Sequence, residues 1–311
     1  MAGTGRKRTR DGAAPINLAG AASVATFVLI WGAWIVGTRH AVTHTLDPVA
    51  IGFLRFAIPA LVFAPVLWRS GLLPRAELLA LAVCFVGAGA PFFMLASNGM
   101  RFAPAADVGP LLPGTMPLVV ALASVLFFGE TMGRLRWLGF ALVAAGIVAI
   151  GGRSLFIASD QAWIGHALFL CGATAWAAYT IAFRRSGMSA VEGVALVGFW
   201  SAVVLAPFGV PSLVEAVQSG HAQDVLIQAV IQGLLSGVIA FVAYNTAIAR
   251  IGASKAAAFV ALVPACAALI AIPVLGEWPD WAAWFGIVVT GIGVVLASGA
   301  FSAAFRRTAA G

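Results

Sequence analysis

The chain contains very little charge. Only 9% of its 311 residues are Asp, Glu, Lys or Arg, whereas a soluble domain carries about 25%. Hydrophobic residues make up 62%, and the mean hydropathy is +1.02. A chain of this length could form two soluble domains, but these values exclude that and indicate a polytopic membrane protein. Helices of such proteins also tolerate glycine and proline.

Reactive groups are also scarce. The cysteines Cys84, Cys171 and Cys266 lie singly in apolar runs, without a CxxC pair, so neither a disulfide framework nor a metal site is predicted. The chain lacks HExxH and GxSxG motifs, and its four histidines are scattered. We therefore expect no enzyme and no cofactor. No Asp or Glu lies in the middle third of a predicted helix, which disfavours a buried carboxylate relay for protons.

Apolar segments of membrane-spanning length predict an all-α fold of ten transmembrane helices. Short connections leave no room for an extramembrane domain. A basic tail at 1–17 precedes the helices, and a short tail at 301–311 follows them. The predicted segments are 18–37, 48–68, 77–99, 105–128, 135–151, 162–183, 190–210, 225–249, 254–275 and 281–300.

Basic residues alternate sides across these segments. With the N-terminus inside, fourteen fall on one side and three on the other, and Arg55 lies within a helix. By the positive-inside rule, both termini are predicted to be cytoplasmic in an inner (plasma) membrane protein. The formal charge of +7 then reflects topology and predicts no nucleic-acid partner. The fourteen are Arg6, Lys7, Arg8, Arg10, Arg69, Arg75, Arg134, Arg136, Arg184, Arg185, Arg250, Lys255, Arg306 and Arg307; the three are Arg39, Arg101 and Arg153.

The chain repeats itself. An offset of 147 aligns Asn98 with Asn245, Pro117 with Pro264, Gly129-Glu130 with Gly276-Glu277, Trp137 with Trp284, and Gly146 with Gly293; an offset of 145 aligns Trp31 with Trp176 and Arg39 with Arg184. The units are 18–152 and 162–300, with five helices each. Because five is odd, the second unit is inverted, as in many secondary transporters.

Two ordered copies of P-x11-GE, each followed by W-x-G, carry a resemblance to a known family. Further matches are WGAWIVGTR at 31–39, WAAYTIAFR at 176–184 and LRF at 54–56. The chain resembles the EamA family of the drug/metabolite transporter superfamily over about residues 18–300. The resemblance implies a central substrate cavity, peripheral fifth and tenth helices, and export of small metabolites, including amino acids. The fourth helix, with prolines at 110, 113 and 117, departs from the family's more regular run.

Several side chains are candidates for substrate binding. Four rings, at 31, 34, 176 and 179, lie near the middle of the first and sixth helices, where they form either an aromatic lining or bundle packing. Amides and a phenol on the third and eighth helices are candidates for the cavity, for gate hydrogen bonds or for joining helices. The complete set is Trp31, Trp34, Asn98, Trp176, Tyr179, Gln228, Gln232, Tyr244 and Asn245.

Charged and kinked positions complete the candidates. Arg55 is a possible contact for a substrate carboxylate, or a cation that extends to the membrane interface. His166 is a possible proton site, or a hydrogen-bonded histidine near the interface. Glu130 and Glu277 are predicted to bond backbone N–H groups at helix ends. The predicted hinges or kinks are Pro91, Pro113, Pro117, Pro264 and Pro273.

The function predicted from these features is secondary, non-ATP transport. The expected cargo is a neutral or aromatic amino acid or a similar amphipathic metabolite, exported by alternating access. A carrier of another substrate class (drug, sugar or nucleotide-type metabolite) and a non-transport scaffold or receptor remain alternatives. The expected partners are a small-molecule substrate and the lipid bilayer, with a monomer or a homodimer as the assembly. Glycines of the fifth and tenth helices pack either within the monomer or between protomers.

Overall fold

A computed structural model describes residues 18–72, 78–103, 105–129, 131–156, 161–275, 278 and 281–297. This part of the chain forms ten helical segments and no strand. Both tails, Glu130 and Glu277 lie outside it. The segments are α1 (Leu18–His44), α2 (Pro48–Val62 and Ala64–Ser70), α3 (Leu78–Ala88 and Ala90–Phe102), α4 (Ala105–Gly109, Pro110–Gly114 and Met116–Phe128), α5 (Arg134–Phe156), α6 (Ala162–Ser186), α7 (Ala190–Gln218), α8 (Ala222–Gln228, Ala229–Ala240 and Phe241–Ile251), α9 (Ala253–Val260 and Val263–Leu275) and α10 (Trp281–Ala297).

Most of these segments are long enough to cross a bilayer. Six described spans pass on length and hydropathy, and α2 makes a seventh if its two pieces, bent by 63°, form one span. Large apolar side chains such as Trp68 and Phe208 are exposed on the outside of the bundle, as on a lipid-facing surface. The protein is therefore a multi-pass membrane protein. Helices α1, α5, α7 and α8 extend past the predicted bounds because polar terminal turns remain helical outside an apolar run.

Local sequence signals fix the helix ends. At the start of α2, the Asp47 side chain accepts a hydrogen bond from the Val49 N–H at 2.9 Å. Ser189 and Glu192 form a reciprocal capping box at the start of α7. Helix α6 ends at Ser186, and the next residue, Gly187, has a φ of +71°, which favours glycine.

Helix α3 is interrupted at Gly89, two residues before Pro91. Proline has no N–H and disrupts the preceding turn. The N–H of Ala90 instead donates to the Ser201 hydroxyl of α7, at 2.9 Å. A side chain from the other repeat therefore stabilises the interruption. The hinge role of Pro91 stays a prediction.

The other candidate prolines occupy different settings. Pro117 and Pro264, related by the repeat, are each the second residue of a new helical piece, after interruptions in α4 and α9. Pro113 lies in the π-helical piece Pro110–Gly114. Pro273 lies inside Val263–Leu275, where the helix continues without a break. The interruptions thus recur at equivalent positions of the two halves, and motion about them stays a prediction.

The two halves are interleaved. Helix α1 packs against α8 and α9, and α6 packs correspondingly against α3 and α4. Helix α2 pairs with α7, and α5 pairs with α10. This pattern is preserved when the two halves are exchanged, as expected for inverted repeats. The all-α fold of ten helices in two inverted repeats is confirmed.

The helix connections lie on two opposite faces of the bundle. Face A carries the α1–α2, α3–α4 and α7–α8 connections. Face B carries the α2–α3, α6–α7 and α8–α9 connections. Because of the inversion, a residue near face A in one half has its repeat partner near face B in the other.

Glycines bring α5 and α10 into close contact within one chain. A Cβ atom on Gly139 would lie 2.4 Å from the Ala297 nitrogen, and one on Gly293 would lie 2.7 Å from the Gly139 oxygen. Gly146 approaches Gly286 and Thr290 in the same way. Van der Waals contact drives helix association in lipid, so backbones this close stabilise the pair. The glycine-rich faces therefore pack within the monomer.

Candidate functional site

Eight buried rings meet at the centre of the bundle, and we call them the aromatic cluster. The centroids of Trp31 and Trp176, which are related by the repeat, are 4.6 Å apart. Phe27 stacks on Tyr244 at 4.5 Å. No ring in the cluster is more than 3% exposed. The cluster consists of Phe27, Trp31, Trp34, Phe92, Trp176, Tyr179, Phe241 and Tyr244.

Both repeats supply this cluster, from α1 and α3 in one and from α6 and α8 in the other. The sequence predicted four of its rings as a group and Tyr244 separately, but it missed Phe27, Phe92 and Phe241. Helical spacing was the missed signal, because Phe27 precedes Trp31 by four residues and Phe241 precedes Tyr244 by three. The rings touch one another, so a molecule entering between them must move the halves apart.

Gln232 is the centre of a buried polar network beside the cluster. Its amide oxygen accepts from the Trp34 indole N–H at 2.8 Å. Its amide nitrogen donates to the Thr38 hydroxyl at 2.8 Å and to the Gln228 oxygen at 3.1 Å. Gln228 in turn donates to the Gly37 carbonyl at 3.2 Å. Gln228 and Gln232, both candidates from the sequence, thus face α1, and Thr38 is a member of the network that the sequence did not indicate.

Arg55 of α2 lies against this network and is only 2% exposed. Its guanidinium lies 5.2 Å from the Trp34 ring centroid and 5.6 Å from that of Phe93. One guanidinium nitrogen donates to the Gln232 oxygen at a long 3.4 Å. No carboxylate in the described part of the chain forms an ion pair with it. Arg55 is therefore enclosed by protein and does not extend to the membrane interface.

A second polar group joins α6, α7 and α8 towards face B. The Tyr179 hydroxyl donates to the Asn245 amide oxygen. The Asn245 nitrogen donates to the Ala190 carbonyl at 3.1 Å. The hydroxyls of Thr180 and Tyr244 are 3.0 Å apart. Asn245 therefore links three helices of the second repeat.

Asn98, the repeat partner of Asn245, makes a different contact. Its amide nitrogen donates to the Met94 carbonyl of its own helix at 2.8 Å. The position aligned with Tyr179 holds Trp34, whose N–H is directed to Gln232 instead. The structure thus places Asn98 outside the interhelical network, and the two repeats differ at this point.

His166 of α6 has a buried acidic partner on α4. Its Nε2 lies 2.7 Å from Asp107 Oδ2, and the side-chain exposures are 19% for His166 and 0% for Asp107. Helices α1 and α3, which pack against α4 and α6 respectively, each carry an arginine at this end. Arg39 of α1 is bound to carbonyl groups, and Arg101 of α3 is exposed. The sequence missed Asp107 because it lies near a helix end, away from the middle third. The pair joins the two repeats near face A.

Two arginines related by the repeat bind helix ends on opposite faces. Arg39 donates to the carbonyls of Met100 and Ala103 at the end of α3, near face A. Arg184 donates to the Ala249 carbonyl near the end of α8 at 3.4 Å, near face B. Carbonyls at helix C-termini lack intrahelical partners and carry partial negative charge. Equivalent bonds therefore form on opposite sides of the bundle, as the inverted repeat requires.

Inverted repeats of five helices around a shared, buried centre are typical of secondary transporters. The model of the EamA-like transporter family matches residues 18–152 and 163–299. The chain belongs to this family, and the family resemblance is confirmed. Because the family and its relatives are transporters, the comparison argues against an enzymatic function.

Relatives extend the comparison over most of the chain. An "Uncharacterized transporter" of Archaeoglobus fulgidus is 27% identical over 286 residues, covering 88% of this chain and 95% of the relative. A "Probable terminal-alkyne amino-acid exporter" of Streptantibioticus cattleyicolor is 28% identical over 232 residues, covering 72% of this chain and 74% of the relative. A protein crystal structure superposes with a TM-score of 0.64 at 19% identity, covering 90% of this chain and 96% of that one. This last likeness concerns the fold alone.

Proposed function

We propose that the protein is a secondary transporter that exports small amphipathic metabolites, with neutral or aromatic amino acids as the leading class. The observation that carries this proposal is the aromatic cluster, built from both inverted repeats at the bundle centre. Rings from two halves that move relative to each other bind an apolar group in one arrangement and release it in another. The indole and phenol groups add hydrogen-bonding positions.

The amino-acid class rests on a second consideration. The Streptantibioticus cattleyicolor relative is named a probable amino-acid exporter. An amino acid with an apolar side chain combines a group suited to the aromatic cluster with a polar head group suited to the Gln232 network next to it. A drug, sugar or nucleotide-type cargo, or a scaffold or receptor role, is the alternative that the experiment below addresses.

The proposed cycle has an orientation and a site for protons. Face B carries the basic connections, so we place it on the cytoplasmic side of the inner membrane, with face A outside. The His166–Asp107 pair near face A is the position at which a proton enters the cycle. His166 and Asp107 lie on opposite repeats, so a change in the bond between them alters a contact between the moving halves.

Flux into proteoliposomes tests the proposal. Purified protein is expected to give saturable counterflow of labelled L-phenylalanine and L-leucine. Trp31→Ala and Trp176→Ala are expected to lose most of it, because each removes a central ring of the cluster. Trp68→Ala, which truncates an exposed ring of α2, is the matched control and should keep the flux.

Two results would contradict the proposal. Folded protein that carries neither amino acid would remove this substrate class and favour another cargo or a receptor role. Equal flux in the Trp31→Ala, Trp176→Ala and Trp68→Ala variants would separate transport from the aromatic cluster. Thermal unfolding of each variant distinguishes lost binding from lost folding.

A further inference from the structure

Arg55 carries a positive charge inside the bundle without an acidic partner in the described part of the chain. Burial of an ion is costly, and most buried ions are retained next to a counter-charge or at a functional site. Among the described residues, its side chain forms one hydrogen bond, to Gln232, which is 3.4 Å long. That oxygen already accepts the shorter bond from Trp34 at 2.8 Å. Most of the five guanidinium donors are thus available to an anion.

The repeat helps to separate a structural from a functional role. The offsets of 145 and 147 that align the two halves bring Arg55 opposite Trp200 and Ala202, with Ser201 between them. The second half therefore has an uncharged residue at the position of α7 that corresponds to Arg55 of α2. Helix packing at this position therefore does not in itself require a positive charge. Arg55 belongs to one half only, as a binding group in an asymmetric substrate site does.

Arg55 is also next to the aromatic cluster. Trp34 lies under the guanidinium at 5.2 Å, and its centroid is 5.3 Å from that of Trp31. The cation and the apolar aromatic surface are thus close enough for one small molecule to contact both. Ser236, one turn beyond Gln232 on α8, adds a buried hydroxyl without a partner in the described region.

From this arrangement we infer that Arg55 binds the carboxylate of the transported molecule, while the aromatic cluster takes its apolar part. Guanidinium binds carboxylate with two parallel hydrogen bonds, which fixes the orientation of the bound molecule. The inference rests on the proposed function and narrows its substrate class. Neither the aromatic cluster nor the Gln232 network contains a carboxylate, so an ammonium group contributes little. The expected substrates are apolar monocarboxylates, with or without an amino group.

Three probes of the same shape separate the head groups. L-Phenylalanine has a carboxylate and an ammonium group, 3-phenylpropionate has only the carboxylate, and 2-phenylethylamine has only the ammonium group. In proteoliposomes, the first two are expected to be carried saturably and to compete with each other. The amine is expected to be neither carried nor competitive.

Substitution of Arg55 tests the assigned residue. Arg55→Gln is expected to weaken the apparent affinity for both acids by about 10- to 100-fold, the usual effect of losing a charged hydrogen-bonding partner. Arg55→Lys should recover part of this loss. The control Arg69→Gln removes an exposed cation of the same segment and should have no effect. Ligand-free Arg55→Gln should unfold at the wild-type temperature or above it, because it removes an unpaired buried charge.

The outcomes separate this inference from the proposed function. Transport of 2-phenylethylamine equal to that of the acids, or unchanged affinity in folded Arg55→Gln, would overturn the carboxylate assignment and leave the transporter intact. A lower unfolding temperature for ligand-free Arg55→Gln would show a structural role instead. Absence of flux for all three probes with folded wild-type protein would overturn both proposals.

Discussion

The contact between α5 and α10 allows a quantitative test, with a control glycine on the partner helix. In Gly146→Ala, the new Cβ would lie 2.2 Å from Thr290 Oγ1 and 2.8 Å from both Gly286 O and Thr290 N. The hydroxyl can rotate, but the two backbone atoms cannot. Ordinary contacts of a carbon atom are about 3.5 Å or longer. The helices must therefore separate by roughly 0.7 Å along this stretch.

The magnitude follows from opposing terms. Overpacking of a tight contact costs about 1–3 kcal/mol, and replacing glycine by alanine within a helix contributes up to about 1 kcal/mol in the other direction. Gly291→Ala should show only the stabilisation from replacing glycine by alanine, because nothing lies within 4 Å of its added Cβ. The two variants should thus differ by about 1–3 kcal/mol, or roughly 5- to 150-fold in the folding equilibrium.

The assay is unfolding of detergent-solubilised protein by added sodium dodecyl sulfate, followed by tryptophan fluorescence. Gly146→Ala should unfold at a lower mole fraction of the denaturing detergent than wild type, and Gly291→Ala at an equal or higher one. Light scattering after size exclusion reports the assembly in parallel. If Gly146→Ala kept its unfolding midpoint but converted a dimer into monomers, the interface would lie between chains and the reasoning would be refuted.

Two further predictions concern polar groups. Asn245→Ala removes the acceptor of the Tyr179 hydroxyl, and a buried donor without a partner costs about 1–3 kcal/mol of stability. Asn98, the repeat partner of Asn245, is bonded within its own helix and should tolerate alanine. Equal unfolding midpoints for the two variants would contradict this difference. His166→Gln removes the partner of Asp107 and should reduce the stimulation of transport by an imposed proton gradient. His221→Gln, which alters the partly exposed pair with Asp224, should keep the wild-type response to the gradient, and an unchanged response of His166→Gln would argue against the His166–Asp107 pair as a proton site.

Internal repetition explains how much of the fold was predictable. Apolar segments and alternating basic residues mark the helices because hydrocarbon excludes charge and unpaired backbone groups. Two copies of an odd number of helices then imply inversion. Interruptions were harder to locate, because Pro273 continues a helix while Pro91 follows a break. The Ala90 N–H freed near Pro91 finds Ser201 on another helix, and a distant partner of this kind leaves no local signal.

The candidate site, like the fold, was predictable only in part. The residues at 31, 34, 176 and 179 were identifiable because large rings in the middle of membrane helices are unusual. Asp107 was not identifiable because it lies in the first turn of its helix, yet the packing of α4 against α6 buries it completely. Gln232 was one of several candidate amides, and only the crossing of α1, α2 and α8 gives it Trp34, Thr38 and Arg55 as partners.

The sequence by itself determined the membrane setting, the ten helices, their inversion and the family, since these depend on hydropathy and repetition along one chain. Tertiary structure decided which helices of opposite halves touch, that the α5 and α10 glycines pack within one chain, and that Arg55 is enclosed beside the aromatic cluster. The physical reason is that these features join residues on different helices. Their contacts depend on how helices cross, which periodicity within a single helix does not specify.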